Sequence, residues 1–84
     1  MSHDDKLVYM ANQIGRFFAA QGAARAVPAI AEHLRKFWTP RMRAEIAAHL
    51  RAGGAGLDDL PRQAVAQLAA EEAASTPSNA AAAP

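Results

Sequence analysis

The chain has 84 residues and a formal net charge of +1, which bounds it to one small domain with almost balanced charge. Its hydrophobic fraction of 51% is more than half alanine, and Met, Leu, Ile, Val, Phe, Trp and Tyr together number only 20, so the core is thin. The lack of cysteine excludes disulfides, Cys-ligated zinc and Cys-held iron–sulfur clusters.

Ser2 and Asp5 have capping-box spacing and predict a helix start, with aspartate in the less usual third position. Leu7, Met10, Ala11, Ile14, Phe17 and Phe18 then recur at helical spacing, one apolar stripe on a helix running to about Ala20. Gln21-Gly22 ends it, with Gly22 as a left-handed C-cap. A second helix starts near Arg25, with Pro28 in its first turn and a stripe of Val27, Ile30, Ala31, Leu34, Phe37 and Trp38. Laying LVYMANQIGRFF over VPAIAEHLRKFW matches the two stripes position by position, as two amphipathic helices of equal length do without duplication. The short Gly-containing connection predicts an antiparallel pair.

Thr39 is an N-cap type and Pro40 suits the first helical position, so Thr-Pro closes the second helix and opens a third. That third helix runs over about Pro40 to Ala52, with Met42, Ile46, Ala47 and Leu50 inside. Gly53-Gly54 stops it, and GGAGLDDLP leads to a cap at Asp58 or Asp59. A fourth helix, about Leu60 to Ala73, carries a weak stripe of Leu60, Ala64, Val65 and Leu68. The remaining STPSNAAAAP has no periodicity and no large apolar residue, and reads as a disordered tail. The fold class is all-α: a small bundle of three to four short amphipathic helices, one domain over 1–74 and a disordered Ala/Pro/Ser tail over 75–84.

No motif argues for catalysis, cofactor binding or a metal. The acids sit where capping or solvation explains them, and Glu32 with Lys36 is an ordinary i, i+4 pair. His3, His33 and His49 are too scattered for a standard metal motif, and GGAG lacks the lysine context of a phosphate cradle. No apolar run approaches the roughly 18 residues of a membrane span, and the SHDDK start lacks a signal peptide's order, so a soluble cytoplasmic protein is expected.

Charge is uneven. Residues 25–51 hold six cations against Glu32 and Glu45 for a local +4, whereas residues 52–84 net −3. A basic helix-turn-helix for DNA is one reading, although the break at Thr39-Pro40 and the low total charge speak against it. An adaptor docking on a protein is another. Arg35, Trp38, Arg41, Met42 and Arg43 are interface-favoured types crowded around a helix break, and form the candidate partner interface. On that reading Arg41 and Arg43 matter for a partner and hardly at all for folding.

Three blocks carry a resemblance: M-A-N-Q-I followed by F-F (Met10 to Ile14, Phe17-Phe18), F-W-x-P-R-M-R (Phe37 to Arg43) and G-G-x-G-L (Gly53 to Leu57). In this order they resemble the delta subunit of soluble NAD-dependent molybdenum formate dehydrogenases, over about Asp5 to Val65. The resemblance implies a non-catalytic accessory subunit supporting assembly, stability or activity of a complex that oxidises formate to carbon dioxide with reduction of NAD. It implies alpha, beta and gamma partner subunits, the alpha (molybdenum) subunit foremost, which carry the molybdenum cofactor, iron–sulfur clusters and FMN. No cofactor is expected in this chain, and neither nucleic acid nor membrane is an expected partner.

Overall fold

The computed structural model describes residues 2–75. Among them the chain forms four helices and no strand: α1 (His3–Ala19), α2 (Ala23–Phe37), α3 (Pro40–Arg51) and α4 (Asp59–Ser75). The all-α bundle is the fold. The tail expected over 75–84 lies, from residue 76 onward, outside the described residues.

Local chemistry sets the helix ends. The Ser2 hydroxyl accepts from the Asp5 N–H at 3.1 Å and the Asp5 carboxylate accepts from the Ser2 N–H at 3.3 Å, which completes the capping box. α2 starts at Ala23, earlier than the expected Arg25, directly on Gly22, whose carbonyl accepts from the Ala26 N–H at 2.8 Å. Pro28 therefore lies inside the helix rather than in its first turn, and offers no N–H to the Ala24 carbonyl. Both residues are exposed, so water can serve that carbonyl. At α3 the Thr39 hydroxyl accepts from the Met42 N–H at 3.1 Å and Pro40 takes the first position. α3 ends in a Schellman motif, with Gly54 N–H on the His49 carbonyl at 2.9 Å and Gly53 N–H on the Leu50 carbonyl at 3.0 Å. Gly53 holds φ +124°, which a residue with a side chain rarely adopts.

α4 packs on all three other helices and most extensively on α2. Its inner row is Pro61, Ala64, Val65 and Leu68, all essentially inaccessible, while Leu60 is only half-buried. The row thus begins one residue later than the apolar pattern suggests. It shares one core with Ala26, Ile30, Ala31 and Leu34 of α2, with Ile46 of α3, and with Leu7 and Ala11 of α1. Alanines on both sides of the α2–α4 contact let the backbones approach closely, which is how a chain with few large apolar residues closes a core.

α1 is turned relative to its expected stripe. Leu7, Val8, Ala11 and Gly15 are buried, whereas Met10 and Ile14 are half-buried and Phe17 is 78% exposed. The cause is at Gly15, where an added Cβ would lie 2.8 Å from Cδ of Pro61. A bare glycine lets the proline ring of α4 seat against α1, and that seat rotates Phe17 outward. Phe37, its counterpart on α2, is likewise 71% exposed. Trp38 leaves helical angles at φ −91° and ψ 145° and turns its ring into the core.

The connection between α3 and α4 is tied down by side chains from three helices. Asn12 of α1 donates from Nδ2 to the Gly56 carbonyl at 3.0 Å and accepts at Oδ1 from the Asp58 N–H at 2.9 Å. The Arg62 guanidinium of α4 donates to the Gly54 and Gly53 carbonyls at 2.9 and 3.3 Å. His49 of α3 donates from Nε2 to the Ala55 carbonyl at 2.8 Å.

Candidate functional site

The five residues singled out around the helix break do not form one surface. Trp38 is 5% exposed and belongs to the core. Met42 is half-buried and packs against it. Arg43 lies across the junction: Nε donates to Glu72 Oε2 of α4 at 2.7 Å and Nη1 donates to the Trp38 carbonyl at 2.8 Å. It satisfies the open carbonyl end of α2 and pins α3 to α4 in one gesture. Arg35 bridges Glu32 of its own helix and Glu71 of α4. Arg41 alone is 87% exposed in its side chain, with a 3.4 Å contact to Glu45. The Arg43 guanidinium is a tie between helices, so a contribution to folding is expected of it where the sequence suggested hardly any.

These pairs also explain the uneven charge. The +4 stretch folds against the acidic one, Arg35 on Glu71 and Arg43 on Glu72. Two cations that a DNA-binding helix pair would present are thus engaged in pairs between helices, Arg35 at the surface and Arg43 partly buried. Glu45 sits between His3, whose Nε2 lies 2.7 Å away, and Arg41. The His3 hydrogen bond chiefly holds its carboxyl below its ordinary value, desolvation opposes that, and Arg41 adds to the lowering. Among the described residues no three His, Cys, Asp or Glu side chains gather in a way that could hold a metal ion.

What the structure leaves open to solvent is aromatic. Phe17 and Phe18 meet edge to face with centroids 5.0 Å apart, Phe18 lies 6.2 Å from the His33 ring, and His33 lies 4.8 Å from Phe37. Ala29, His33 and Phe37 are one i, i+4 row of α2, so this row and the end of α1 enclose an open groove of about 270 Å³. Glu32 and Lys36 line its edge. A row of rings without a nucleophile or a polar cradle is a binding feature rather than a reactive one.

Residues 6–65 match the family model described as NADH-dependent formate dehydrogenase delta subunit FdsD. The chain belongs to the FdsD family. No curated protein and no solved structure gives a significant match. The FdsD match spans α1 to the first turns of α4, and so includes the Asn12 tie, the Thr39–Pro40 junction and the aromatic row. As an FdsD chain it is an accessory delta subunit of NAD-dependent formate dehydrogenase. No helix among the described residues is long and apolar enough to cross a membrane.

Sequence reasoning missed Phe17 and Phe37 as surface residues, His33 as a member of their row, and Asn12 as a tie. The two phenylalanines occupy stripe positions and scored as core. For Phe17 the signal is the pair Val8 and Gly15, which moves the centre of the α1 stripe away from it. His33 stands out only once Ala29 and Phe37 are read with it as a row.

Proposed function

We propose that this FdsD chain is a non-catalytic subunit that acts by binding, and that the formate chemistry belongs to its partner alpha, beta and gamma subunits. The family match over residues 6–65 carries this reading. The residue inventory supports it: the chain has no cysteine to hold a cluster, and several of its charged side chains are engaged in caps and inter-helix pairs such as Arg43–Glu72. The molybdenum cofactor, iron–sulfur clusters and FMN are then held by the partners, with the alpha subunit as the principal contact, and the complex works in the cytoplasm.

Purification of the chain alone and of the tagged chain from its native host tests this. The isolated chain is expected to lack visible absorbance and formate-dependent NAD reduction, and the tagged chain to bring down a formate-oxidising complex. Stoichiometric molybdenum, iron or flavin on the isolated chain would overturn the non-catalytic reading. A tagged chain that brings down no formate-oxidising activity would overturn the subunit assignment in practice.

A further inference from the structure

The geometry points to the end of α4 beyond Leu68 as a releasable acidic strap, which covers a basic seat of Arg35 and Arg43 and yields it to a partner segment carrying adjacent carboxylates. The partner half of this rests on the reading of the chain as a subunit of the complex, and adds a place and a chemistry for that contact.

The hold of the core on α4 ends early. Pro61, Ala64, Val65 and Leu68 are buried, but over 69–74 no residue is. Ala69 and Glu72 are half-buried and the rest of that stretch is exposed. Charged ties reach it from other helices: Arg35 of α2 holds Glu71, and Arg43 of α3 donates from Nε to Glu72 Oε2 at 2.7 Å. Gln67 also donates to Glu71, at 3.1 Å, but from within α4 itself. The two glutamates stand near the carbonyl end of a helix with no basic residue in its last turn, where negative charge is unfavourable. They are also adjacent and repel each other. Order in this end of the helix therefore depends on the two arginines. Arg35, Glu71 and Glu72 are each more than 40% exposed in their side chains, and ion pairs so open to water are weak and screened by salt.

The seat is built without the strap. Arg43 Nη1 donates to the Trp38 carbonyl at 2.8 Å and to the Arg35 carbonyl at 3.4 Å, so its guanidinium stays at the end of α2 whether or not Glu72 is present. Arg35 is likewise held by Glu32 of its own helix, and Lys36 shares that carboxylate. With the strap away, the seat sets Arg35, Lys36 and Arg43 against Glu32, three cations to one carboxylate. The carbonyl end of α2 keeps them there, since cations are favoured at that pole. The strap is itself the template for what binds: two adjacent glutamates on a helix, each taking one arginine. Being part of the chain, it competes at an effective concentration on the order of millimolar, so a free acidic peptide displaces it poorly. An acidic segment of a partner that is already docked elsewhere on the chain meets the strap on equal terms.

Amide exchange followed by NMR on the full-length free chain tests the strap. Exchange over 70–74 is expected to quicken at least about threefold from low to high salt, while Val65 and Leu68 keep their protection. Protection over 70–74 that equals that of Leu68 and ignores salt would overturn the strap. The seat is tested with a peptide of the chain's own segment 66–75, titrated at low salt and followed at the Arg35 and Arg43 side-chain signals. The variant Glu71→Gln with Glu72→Gln is expected to bind it at least about tenfold more tightly than the parent, whose seat is occupied, and not to bind the same peptide with both glutamates replaced by glutamine. Equal response of parent and variant, or no response of either, would overturn the seat. The partner is tested on formate dehydrogenase complex produced without this chain, with the full-length chain added back. Failure of the parent chain to bind would count against the subunit reading, on which the two tests of the free chain do not depend. Given binding, the glutamine variant is expected to bind at least about threefold more tightly, because no strap has to be displaced. Unchanged or weaker binding of that variant would overturn the acidic partner segment.

Discussion

Gly15→Ala sets two effects of opposite sign against each other. Alanine is favoured over glycine inside a helix by about 0.8–1 kcal/mol. The new methyl group would stand 2.8 Å from Cδ and 3.2 Å from Cγ of Pro61. Pro61 is fully buried and sits in the first turn of α4, so its ring has no open space to move into. Overpacking of this kind costs about 1–3 kcal/mol. The clash outweighs the propensity, leaving a net destabilisation of about 1 kcal/mol, or a fall in Tm of about 4–8 °C for a domain of this size. Thermal unfolding of the free chain followed by circular dichroism measures it. The informative comparison is the same substitution on a Pro61→Ala background. There the ring is gone, the clash is absent, and Gly15→Ala is expected to raise the Tm. A sign reversal of this kind gives a double-mutant coupling of about 1–3 kcal/mol. A single Gly15→Ala variant that melts above the parent, or two substitutions whose effects simply add, would refute the account of how α1 is rotated.

Asn12→Ala removes both bonds to the α3–α4 connection and is expected to cost about 1–2 kcal/mol, with faster amide exchange at Asp58, whose N–H loses its acceptor. Arg43→Ala is expected to lower stability by about 1–2 kcal/mol in chemical denaturation, because it frees the Trp38 carbonyl and the Glu72 carboxylate together, whereas the exposed Arg41→Ala stays within about 0.5 kcal/mol. Equal effects of the two would count against Arg43 as an inter-helix tie. Glu45 has a folded pKa below its unfolded one, so its contribution is present above the ordinary carboxylate range and fades as pH falls through the lowered value. Glu45→Gln should therefore flatten the acid side of the stability profile and leave its neutral side parallel to the parent's, as read from Tm against pH.

Most of the fold was legible because helix starts and stops are local. Ser2 with Asp5, Thr39 with Pro40, and Gly53 with Gly54 each specify an end through residues a few positions apart, and the structure has all three. The rotation of α1 was not legible, since it follows from Gly15 meeting a proline forty-six positions later. Periodicity counts Phe17 and Leu7 alike. It cannot tell which edge of a stripe a distant ring will claim. α4 looked weak for a related reason: its inner row includes Ala64 and Pro61, which contribute by letting backbones approach rather than by bulk. At the candidate interface the sequence could not show that the extended backbone at Trp38 aims its ring inward, or that Arg43 pairs with a residue of another helix. Composition alone had flagged the right residue types in the block from Phe37 to Arg43. It was Phe37, scored as interior, that the fold left outside.

The position of α4 has a kinetic consequence. It is the last of the described helices in chain order and touches all of the others. Individual helices form within about a microsecond, but a nascent chain that has reached only the end of α3 has nothing to lay over Ile30 and Leu34. Contacts from α4 back to α1 and α2 close long loops, and those set the pace of two-state folding. Elongation thus makes the helices in one order while the core waits for the last of them. Until α4 has been synthesised the α2 side that packs on it has no cover, so consolidation of the core is expected to come late.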